Sequence, residues 1–340
     1  MTTISEPILT SPTGFIVRTP SEDDAALVAD LTNACALDAI GAPATTAALT
    51  LSGWRATEAE FHPERWLLTT PDGTAAAFGA LWVAAPYDRF NLEGRVHPDF
   101  RGRGLGTYLM THGEASARAR LGDAPAGARV TLAVERISTN EEAGRLFEDH
   151  GYAISRHFWH MVMDLDQEPP APEPPPGITI RAAIPGQDDH AVYTADEEAF
   201  LDHYDHTHIS FEGWTALLRH DAARYDPSLW FTAWEGEEIA GVCLCSETTE
   251  EDPDMGWVET LGVLRPWRRR GVAMALLRHS FRELRRRGKA RVGLGVDAAS
   301  PTGATRLYER AGMHAHRRFV EYKKELRPAA QAADDRGGAR

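Results

Sequence analysis

A run of prolines in the middle of the chain is the feature that most limits how its 340 residues can fold. Residues 166–177 read DQEPPAPEPPPG, with six prolines in twelve positions. Proline lacks the backbone N–H that strand pairing needs, and such a run favours an extended, semi-rigid spacer. The chain is also longer than a typical domain of about 150 residues. We therefore predict two domains, residues 14–165 and 178–327, joined by a linker at 166–177, with a disordered tail at 328–340.

The two halves repeat one order of predicted elements. Each opens with a short apolar strand, at residues 15–18 and 178–181, followed by an acidic segment and an amphipathic helix. A hairpin, a strand, a turn rich in arginine and glycine, and a further helix follow in each half. The predicted fold class is α/β (α+β). Each domain is expected to be a mixed, mostly antiparallel sheet flanked by helices, with a splayed strand beside the turn and a break in the sheet near the linker.

Charge and composition exclude several classes of function. A net charge of -14 argues against nucleic acid or an anionic membrane as the main partner. No apolar run approaches the roughly 20 residues that span a bilayer, and the polar start lacks the features of a secretory signal, so a cytoplasmic protein, monomeric or homodimeric, is expected. The three cysteines, Cys35, Cys243 and Cys245, are too few and too scattered for a disulfide framework or a zinc site. Buried thiols and no metal are predicted.

The most informative stretch is a turn between a strand and a helix, which occurs in both halves. Residues 96–107 read VHPDFRGRGLGT, and residues 263–273 read VLRPWRRRGVA. Small residues let a ligand approach the backbone, and a helix N-terminus offers free N–H groups at its positive dipole end. Such a turn suits a pyrophosphate. Neither the GxGxxG nor the GxxxxGK[ST] pattern is present, so two common nucleotide sites are not indicated.

In these residues the sequence resembles the GNAT superfamily of N-acetyltransferases, whose cofactor turn follows the pattern [RQ]-x-x-G-x-[GA]. Both turns have this pattern, at Arg101, Gly104 and Gly106 and at Arg268, Gly271 and Ala273. A second element of the family follows about 40 residues later in each half, at 140–152 and 303–313. The resemblance covers residues 15–325 and departs from the family at Pro301, where an asparagine is usual.

The resemblance implies acetyl-CoA as the cofactor, with its pyrophosphate on the turn. In the second half the implied contacts are Leu261, Gly262, Val263, Arg268, Arg269, Arg270, Gly271, Val272 and Ala273. In the first half they are Val96, Arg101, Gly102, Arg103, Gly104, Leu105, Gly106, Thr107 and Asn140.

The resemblance also implies a reaction in which an amine attacks a thioester, a base removes the amine's proton and an acid protonates the departing thiolate. The family's acid is commonly the tyrosine of an L-Y-E triplet, which is Tyr308 here, whereas the first half has Phe147. For the base, Glu259 is the candidate, because even spacing places it on one face of the strand that enters the turn. The first half has Leu92 there, and only a bulge would bring the adjacent Glu93 to that face.

The acid and base candidates are therefore both present only in the second half. That asymmetry resembles mycothiol synthase and related actinobacterial tandem acetyltransferases, in which the C-terminal domain is catalytic. The predicted function is N-acetylation of the primary amine of a small molecule by the second half. The alternatives are a non-catalytic acyl-CoA sensor and a protein or peptide N-acetyltransferase. The first-half turn is expected to bind acyl-CoA with little turnover.

A polar run at residues 202–208, DHYDHTH, lies where this fold commonly walls its acceptor pocket. Its acids would suit a cationic amine. The candidate acceptor contacts are Glu198, Asp202, His203 and His206. A solvated surface loop is the alternative, and the histidine spacing could in principle serve a metal. The arginines at 282 and 285–287 are expected to form a solvated helix end.

Overall fold

The structure, a computed structural model, describes residues 11–204, 206–221, 224–300 and 303–330. Most of the predicted tail and Pro301 lie outside these residues. None of the described helices is both long enough and apolar enough to cross a membrane. Cys243 and Cys245 are buried free thiols, as predicted, and Cys35 is a partly buried one.

Both halves contain the same order of strands and helices. The first half contains β1 (Ile16–Arg18), α1 (Ala25–Ile40), α2 (Ala47–Phe61), β2 (Glu64–Thr69), β3 (Ala75–Val83), β4 (Arg89–Val96), α3 (Leu105–Ala119), β5 (Val130–Ile137), α4 (Glu141–Asp149) and β6 (Ala153–Asp164). The second half contains β7 (Ile178–Ala182), α5 (Asp189–Phe200), α6 (Phe211–Arg219), β8 (Trp230–Glu235), β9 (Glu238–Ser246), β10 (Met255–Val263), α7 (Val272–Arg286), β11 (Arg291–Asp297), α8 (Ala304–Arg310) and β12 (His314–Arg327). The mixed sheet with flanking helices confirms the predicted fold class.

The twelve strands of the described residues form one sheet, in the order β1-β2-β3-β4-β5-β12-β6-β11-β10-β9-β8-β7. The last strand of each half lies beside the other half: β12 pairs with β5, and β6 pairs with β11. The two exchanged strands pair with each other in the centre. The expected break in the sheet near the linker is therefore wrong. The sheet is continuous because an open edge at β5 or β11 would leave backbone N–H and C=O groups unpaired. The exchange of β6 and β12 pairs these groups.

The proline-rich linker carries the chain from β6, in the centre of the sheet, to β7 at its edge. It runs beside α7, where Arg282 bonds to Glu168 and Arg285 bonds to the Leu165 carbonyl. Arg287 is only 18% exposed, between Asp226 and Glu247. The expectation of a solvated helix end is thus wrong for Arg285 and Arg287, each of which has a partly buried contact with a segment distant in sequence. The Arg282 side chain stays 38% exposed beside Glu168.

Cutting the chain within the linker is expected to leave the two fragments associated. Each fragment contributes a central strand to the other's part of the sheet, so separation would break two long antiparallel pairings. A specific protease site inserted within residues 166–177 and cleaved under native conditions allows this to be measured by size-exclusion chromatography. We expect co-elution at the mass of the intact chain. Elution of two separate, folded fragments would contradict the exchange.

Each half contains a pair of parallel strands that separate part-way along. β10 pairs with β11 only from Met255 to Val258, and β4 pairs with β5 only from Arg89 to Asn91. Beyond these pairs the strands diverge towards the glycine-rich turn. The splayed strand expected beside each turn is confirmed, and each splay opens a wedge in the sheet.

Candidate active site

The wedge between β10 and β11 opens into a cavity of about 1150 Å³. Small-molecule sites commonly measure about 300–1,000 Å³, so this cavity is large enough for a sizeable ligand. Its walls come from β10, β11, the N-terminal end of α7, and α8. The exchanged strands β6 and β12, and β5 of the first half, complete the wall. The site of the second half is therefore partly built by the first.

The backbone of the glycine-rich turn has the same shape in both halves. Gly271 precedes α7 with φ 95°, and Gly104 precedes α3 with φ 78°. Two residues earlier, Arg269 and Gly102 are also left-handed, at φ 62° and 73°. A Cβ on Gly271 would meet no atom within 4 Å, so the space in front of the helix N-terminus is open. Open space, free N–H groups and the positive helix end together suit an anionic group.

The predicted cofactor residues of the second half divide into two groups. Eight of the nine line the cavity: Leu261, Gly262, Val263, Arg268, Arg269, Gly271, Val272 and Ala273. Arg270 is not among the lining residues, and its Nη2 lies 2.6 Å from Glu235 Oε1.

The Arg268 side chain hydrogen-bonds to β10 and α5 and so holds the turn in place. Its guanidinium donates to the carbonyls of Val263 at 2.9 Å and Ala199 at 3.1 Å, and to Asp202 Oδ2 at 3.0 Å. The first half repeats the carboxylate contact, with Arg101 Nη1 at 2.8 Å from Asp38 Oδ2. The arginine of the motif therefore positions the turn through its own side chain, which the sequence pattern does not reveal.

The first-half candidates have structural contacts of their own. The Asn140 side chain accepts a hydrogen bond from Ala143 N at 3.1 Å and so caps α4. The Arg103 guanidinium lies 5.1 Å from the centre of the Phe100 ring. Val96 O accepts from Cys35 Sγ at 3.3 Å. These contacts involve side chains and a strand carbonyl, and none of them uses the N–H groups at the start of α3.

The acid candidate is buried in the cavity wall. Tyr308, on α8, is 8% exposed. Burial raises the pKa of its phenol well above the ordinary value, so the group retains its proton at neutral pH. Phe147 occupies the matching place in the first half, also 8% exposed, with its ring centre 5.4 Å from that of Tyr322. Both halves thus accommodate an aromatic ring there, but only one ring can donate a proton.

The base candidate lies on a β-bulge. In the pairing of β10 with β9 the register shifts between Val258 and Thr260, which leaves Glu259 as the extra residue. Even spacing from the turn therefore does not explain its placement, because a bulge changes the alternation of side chains. The first-half register continues without a shift past Leu92 and Glu93. Only the second half has the bulge.

Two donors hold the Glu259 carboxylate in the cavity wall. Ser246 Oγ donates to Glu259 Oε1 at 2.6 Å, and Arg224 Nη2 donates to the same oxygen at 2.7 Å. The Glu259 side chain remains 33% exposed. The arrangement fixes one oxygen in place while the side chain stays accessible from the cavity.

The predicted acceptor contacts are brought together only in part. Asp202 and His203 line the cavity, whereas Glu198 and His206 are not among its lining residues. The guanidiniums of Arg265 and Arg268 hold the pKa of Asp202 below its usual range, so this carboxylate is already paired. His206 Nε2 lies 3.7 Å from Glu197. Among the described residues, no group of three or more His, Cys, Asp or Glu side chains is arranged to hold a metal ion.

Several residues that line the cavity were not predicted from the sequence. The central strands β5, β6 and β12 and the helices α7 and α8 contribute them: Glu135, Phe158, His160, Phe319, Arg278 and Arg310. Burial and the nearby Arg317 lower the pKa of His160 to about 4, so its ring is neutral. The one sequence signal for Glu135 was a pair of charged residues, Glu135 and Arg136, near the end of the mostly apolar strand VTLAVERI. The exchange of strands between the halves brings Glu135 to this cavity, and no pattern in the neighbouring sequence indicates that exchange.

Two splayed units, each with a helix N-terminus facing its wedge, define a tandem GNAT fold. The model of the acetyltransferase (GNAT) family matches residues 36–152 and 190–313. The chain belongs to this family, whose members use acetyl-CoA, and it is an acyltransferase.

Similar proteins support the tandem architecture. A mycothiol acetyltransferase of Thermobispora bispora is 32% identical over 73% of this chain and 79% of its own length. One from Streptomyces scabiei is 30% identical over 77% and 78%, respectively. A crystal structure of a GCN5-related N-acetyltransferase from Sphaerobacter thermophilus is 41% identical with a TM-score of 0.76, covering 95% of this chain and 99% of that one. A tandem GNAT protein from the clavulanic acid biosynthesis pathway shares the fold, at 17% identity, with a TM-score of 0.71 and coverage of 93% and 100%.

Proposed function

We propose that the protein transfers an acetyl group from acetyl-CoA to the primary amine of a small molecule and that its second half is catalytic. The observation that carries this proposal is an asymmetry between equivalent places. Glu259 on its bulge and Tyr308 on α8 both line the cavity, whereas the first half has Leu92 and Phe147. The curated relatives are mycothiol acetyltransferases, which supports a small-molecule acceptor.

The cofactor fits the turn of the second half. The N–H groups of residues 269–273 would bind its pyrophosphate at the start of α7, where the space beside Gly271 is open. Arg269, Arg278 and Arg310 would add positive charge around the phosphates, since all three line the cavity. The acyl end would then lie in the wedge between β10 and β11.

Two side chains would move the protons of the reaction. Glu259 accepts a proton from the acceptor ammonium, directly or through one water molecule, which frees the nitrogen lone pair for attack on the thioester carbon. Tyr308 donates its phenolic proton to the sulfur as the carbon–sulfur bond breaks. The attacking nitrogen also loses a second proton, which passes through water to the Tyr308 phenolate, and Glu259 releases its proton to solvent. The products are therefore an amide, free CoA thiol and one proton. Burial disfavours the phenolate, so Tyr308 is protonated before the carbon–sulfur bond breaks and readily regains a proton afterwards.

The first half has a different proposed role. Its turn repeats the left-handed residues of the second-half turn, so we propose that it binds acyl-CoA. Leu92 is buried and Phe147 has no exchangeable proton, so this binding would support little or no turnover. Its contribution would be structural or regulatory.

The proposed function is tested by measuring the release of free CoA thiol across a panel of small amines, amino sugars and peptides. Transfer to small amines supports the proposal. Binding of acetyl-CoA without thiol release from any acceptor would favour an acyl-CoA sensor, and release only with peptides would favour a protein acetyltransferase.

Glu259→Gln is expected to lower the rate of acetyl transfer at pH 7 by roughly 100-fold, as is typical when a general base is lost. Part of the rate should return as the pH rises, because a larger fraction of the acceptor amine is then already deprotonated. The measurement is kcat/KM against pH for wild type and variant. Glu238→Gln, an exposed glutamate at the start of β9, is the matched control and should have no effect. An unchanged rate at pH 7 for Glu259→Gln would reject this residue as the base.

A further inference from the structure

A row of charged side chains crosses the four central strands of the sheet. Glu135 on β5 lies directly opposite Glu321 on β12, and Glu321 lies opposite Arg156 on β6. Arg156 Nε in turn lies 3.8 Å from Asp297 Oδ2 on β11. Because paired residues of adjacent strands point to the same face, these side chains share one side of the sheet. Glu135 and Asp297 line the cavity, so this is the side onto which the cavity opens.

Asp297 is the least satisfied member of this row. Its side chain is 1% exposed, and its Oδ2 accepts no hydrogen bond from the described residues. The other carboxylate oxygen accepts from Ala299 N at 2.8 Å. Buried polar atoms are nearly always hydrogen-bonded, so an unsatisfied carboxylate oxygen in a cavity wall indicates a place for a donor from a ligand.

The remaining members are largely paired among themselves. Tyr204 donates to Glu321 Oε1 at 2.9 Å, and Lys323 Nζ lies 3.7 Å from the same oxygen. The Tyr204 ring is 3.9 Å from the Arg156 guanidinium and 4.5 Å from Lys323 Nζ. Arg156 and Lys323 are thus held against Tyr204 and Glu321, and the carboxyl group of Glu135 is left facing the cavity.

The environment of Glu135 favours a cationic partner. Partial desolvation by the cavity walls and the facing Glu321 raise the pKa of Glu135 to about 7, although the residue itself stays exposed, so it binds a proton more readily than an ordinary glutamate. A ligand ammonium beside it would replace that proton. The charged groups that face it are acidic Glu321 on the adjacent strand and, farther along the row, Arg156 and Lys323.

Distance separates Glu135 from the chemistry. Two strands, β12 and β6, lie between β5 and β11. At roughly 4.8 Å between neighbouring strands, β5 is about 14 Å from the edge of the wedge in which the acyl group would lie. Glu135 therefore cannot be the base, and a molecule that reaches both places must be elongated.

We propose that this row recognises an elongated polyamine acceptor, with Asp297 accepting a hydrogen bond from the middle of the molecule and Glu135 binding a second cationic group at its far end. The inference rests on the proposed acetyl transfer, since it names the acceptor class of the same cavity. It makes a residue of the first half, Glu135, determine the specificity of the second.

Calorimetry with the protein saturated with CoA tests this proposal without turnover. The probes are spermine, an elongated tetra-amine, and n-butylamine, which has a single charge. Spermine should bind more tightly than n-butylamine, and Glu135→Gln should weaken spermine binding roughly 10- to 100-fold, the usual range for one lost charge-assisted hydrogen bond. Binding of n-butylamine should not change. Asp297→Asn should also weaken spermine binding.

Proton release gives a second readout. A cation beside Glu135 lowers the pKa of that carboxyl group, so spermine binding near pH 7 should release protons to the buffer. Binding heats measured in two buffers with different ionisation enthalpies report this release, and Glu135→Gln should remove it. Glu142→Gln, an exposed glutamate in the first turn of α4, is the matched control, and unchanged CoA affinity shows that each variant is folded.

Three outcomes separate this proposal from the proposed function. Equal affinities for spermine and n-butylamine, or equal effects of Glu135→Gln and Glu142→Gln, would overturn the polyamine site even if small amines are acetylated. Spermine binding that depends on Glu135, together with CoA release from spermine, supports both proposals. The same binding with no CoA release from any amine would overturn the acceptor role and the acetyl transfer together.

Discussion

Replacing Tyr308 with phenylalanine is expected to lower kcat for acetyl transfer by roughly 100- to 10,000-fold while the fold and the affinity for acetyl-CoA stay close to those of the wild type. The change removes one hydroxyl from a side chain that is 8% exposed and keeps the ring that packs in the core. Phe147 shows that the repeated fold already accepts phenylalanine at this place. The measurements are steady-state kinetics, thermal unfolding and calorimetry with acetyl-CoA.

The matched control for this change is the reverse substitution in the first half, Phe147→Tyr. It should add no activity to Tyr308→Phe, because buried Leu92 leaves the first half without a base at the equivalent position. Full activity of Tyr308→Phe on a true substrate would mean that solvent protonates the thiolate. Full activity of both Tyr308→Phe and Glu259→Gln would place the catalytic centre in the first half.

Gly271→Val is expected to weaken acetyl-CoA binding at the second-half turn by roughly 100-fold or more. At φ 95° a branched residue is strained, and its side chain would occupy the space in front of the helix N-terminus. Displacing the cofactor from two charge-assisted N–H contacts, each contributing about 1.5–3 kcal/mol, accounts for this loss. Calorimetry measures it as the disappearance of one binding event, with the first-half turn unchanged.

Gly288→Val is the control for backbone strain at the other end of α7. Gly288 has φ 84°, its Cβ would also meet no atom within 4 Å, and it is not among the lining residues of the cavity. This variant should lose a similar amount of stability and retain its affinity for acetyl-CoA. If Gly288→Val and Gly271→Val weaken binding equally, the effect is general destabilisation and the turn is not the cofactor site.

Local features of the structure could be predicted from local sequence. Gly104 and Gly271 indicated the turns, because glycine adopts the left-handed conformation found there without steric cost and lets a ligand approach the backbone. The sequence of α7 also has helical periodicity, and the residues on one of its faces are buried: Val272, Leu276, Leu277, Ser280, Phe281 and Leu284. Periodicity and turn chemistry act over a few residues, so a single sequence contains them.

Features that depend on distant pairing could not be predicted. The bulge at Glu259 arises from the register in which β10 pairs with β9, and the sequence of β10 alone does not predict it. Asp202 was expected to bind the acceptor amine, but in this structure its carboxylate accepts hydrogen bonds from Arg265 and Arg268. Glu135 and Asp297 share a cavity because β12 and β6 connect their strands. A strand shows in its sequence that it has two faces, but not which strand will become its neighbour.

The central position of β12 has a consequence for how the protein forms during synthesis. This strand is made almost two hundred residues after β5, with which it pairs: Glu325 pairs with Thr131. β5 must wait for that partner with one edge unpaired, and β11 meets β6 only across the proline-rich linker. Contacts between residues so far apart in sequence slow folding, and a strand edge that stays unpaired in the meantime is prone to pair with the wrong strand. The first half therefore cannot complete its part of the sheet until β12 has been made, so the two halves must finish folding together.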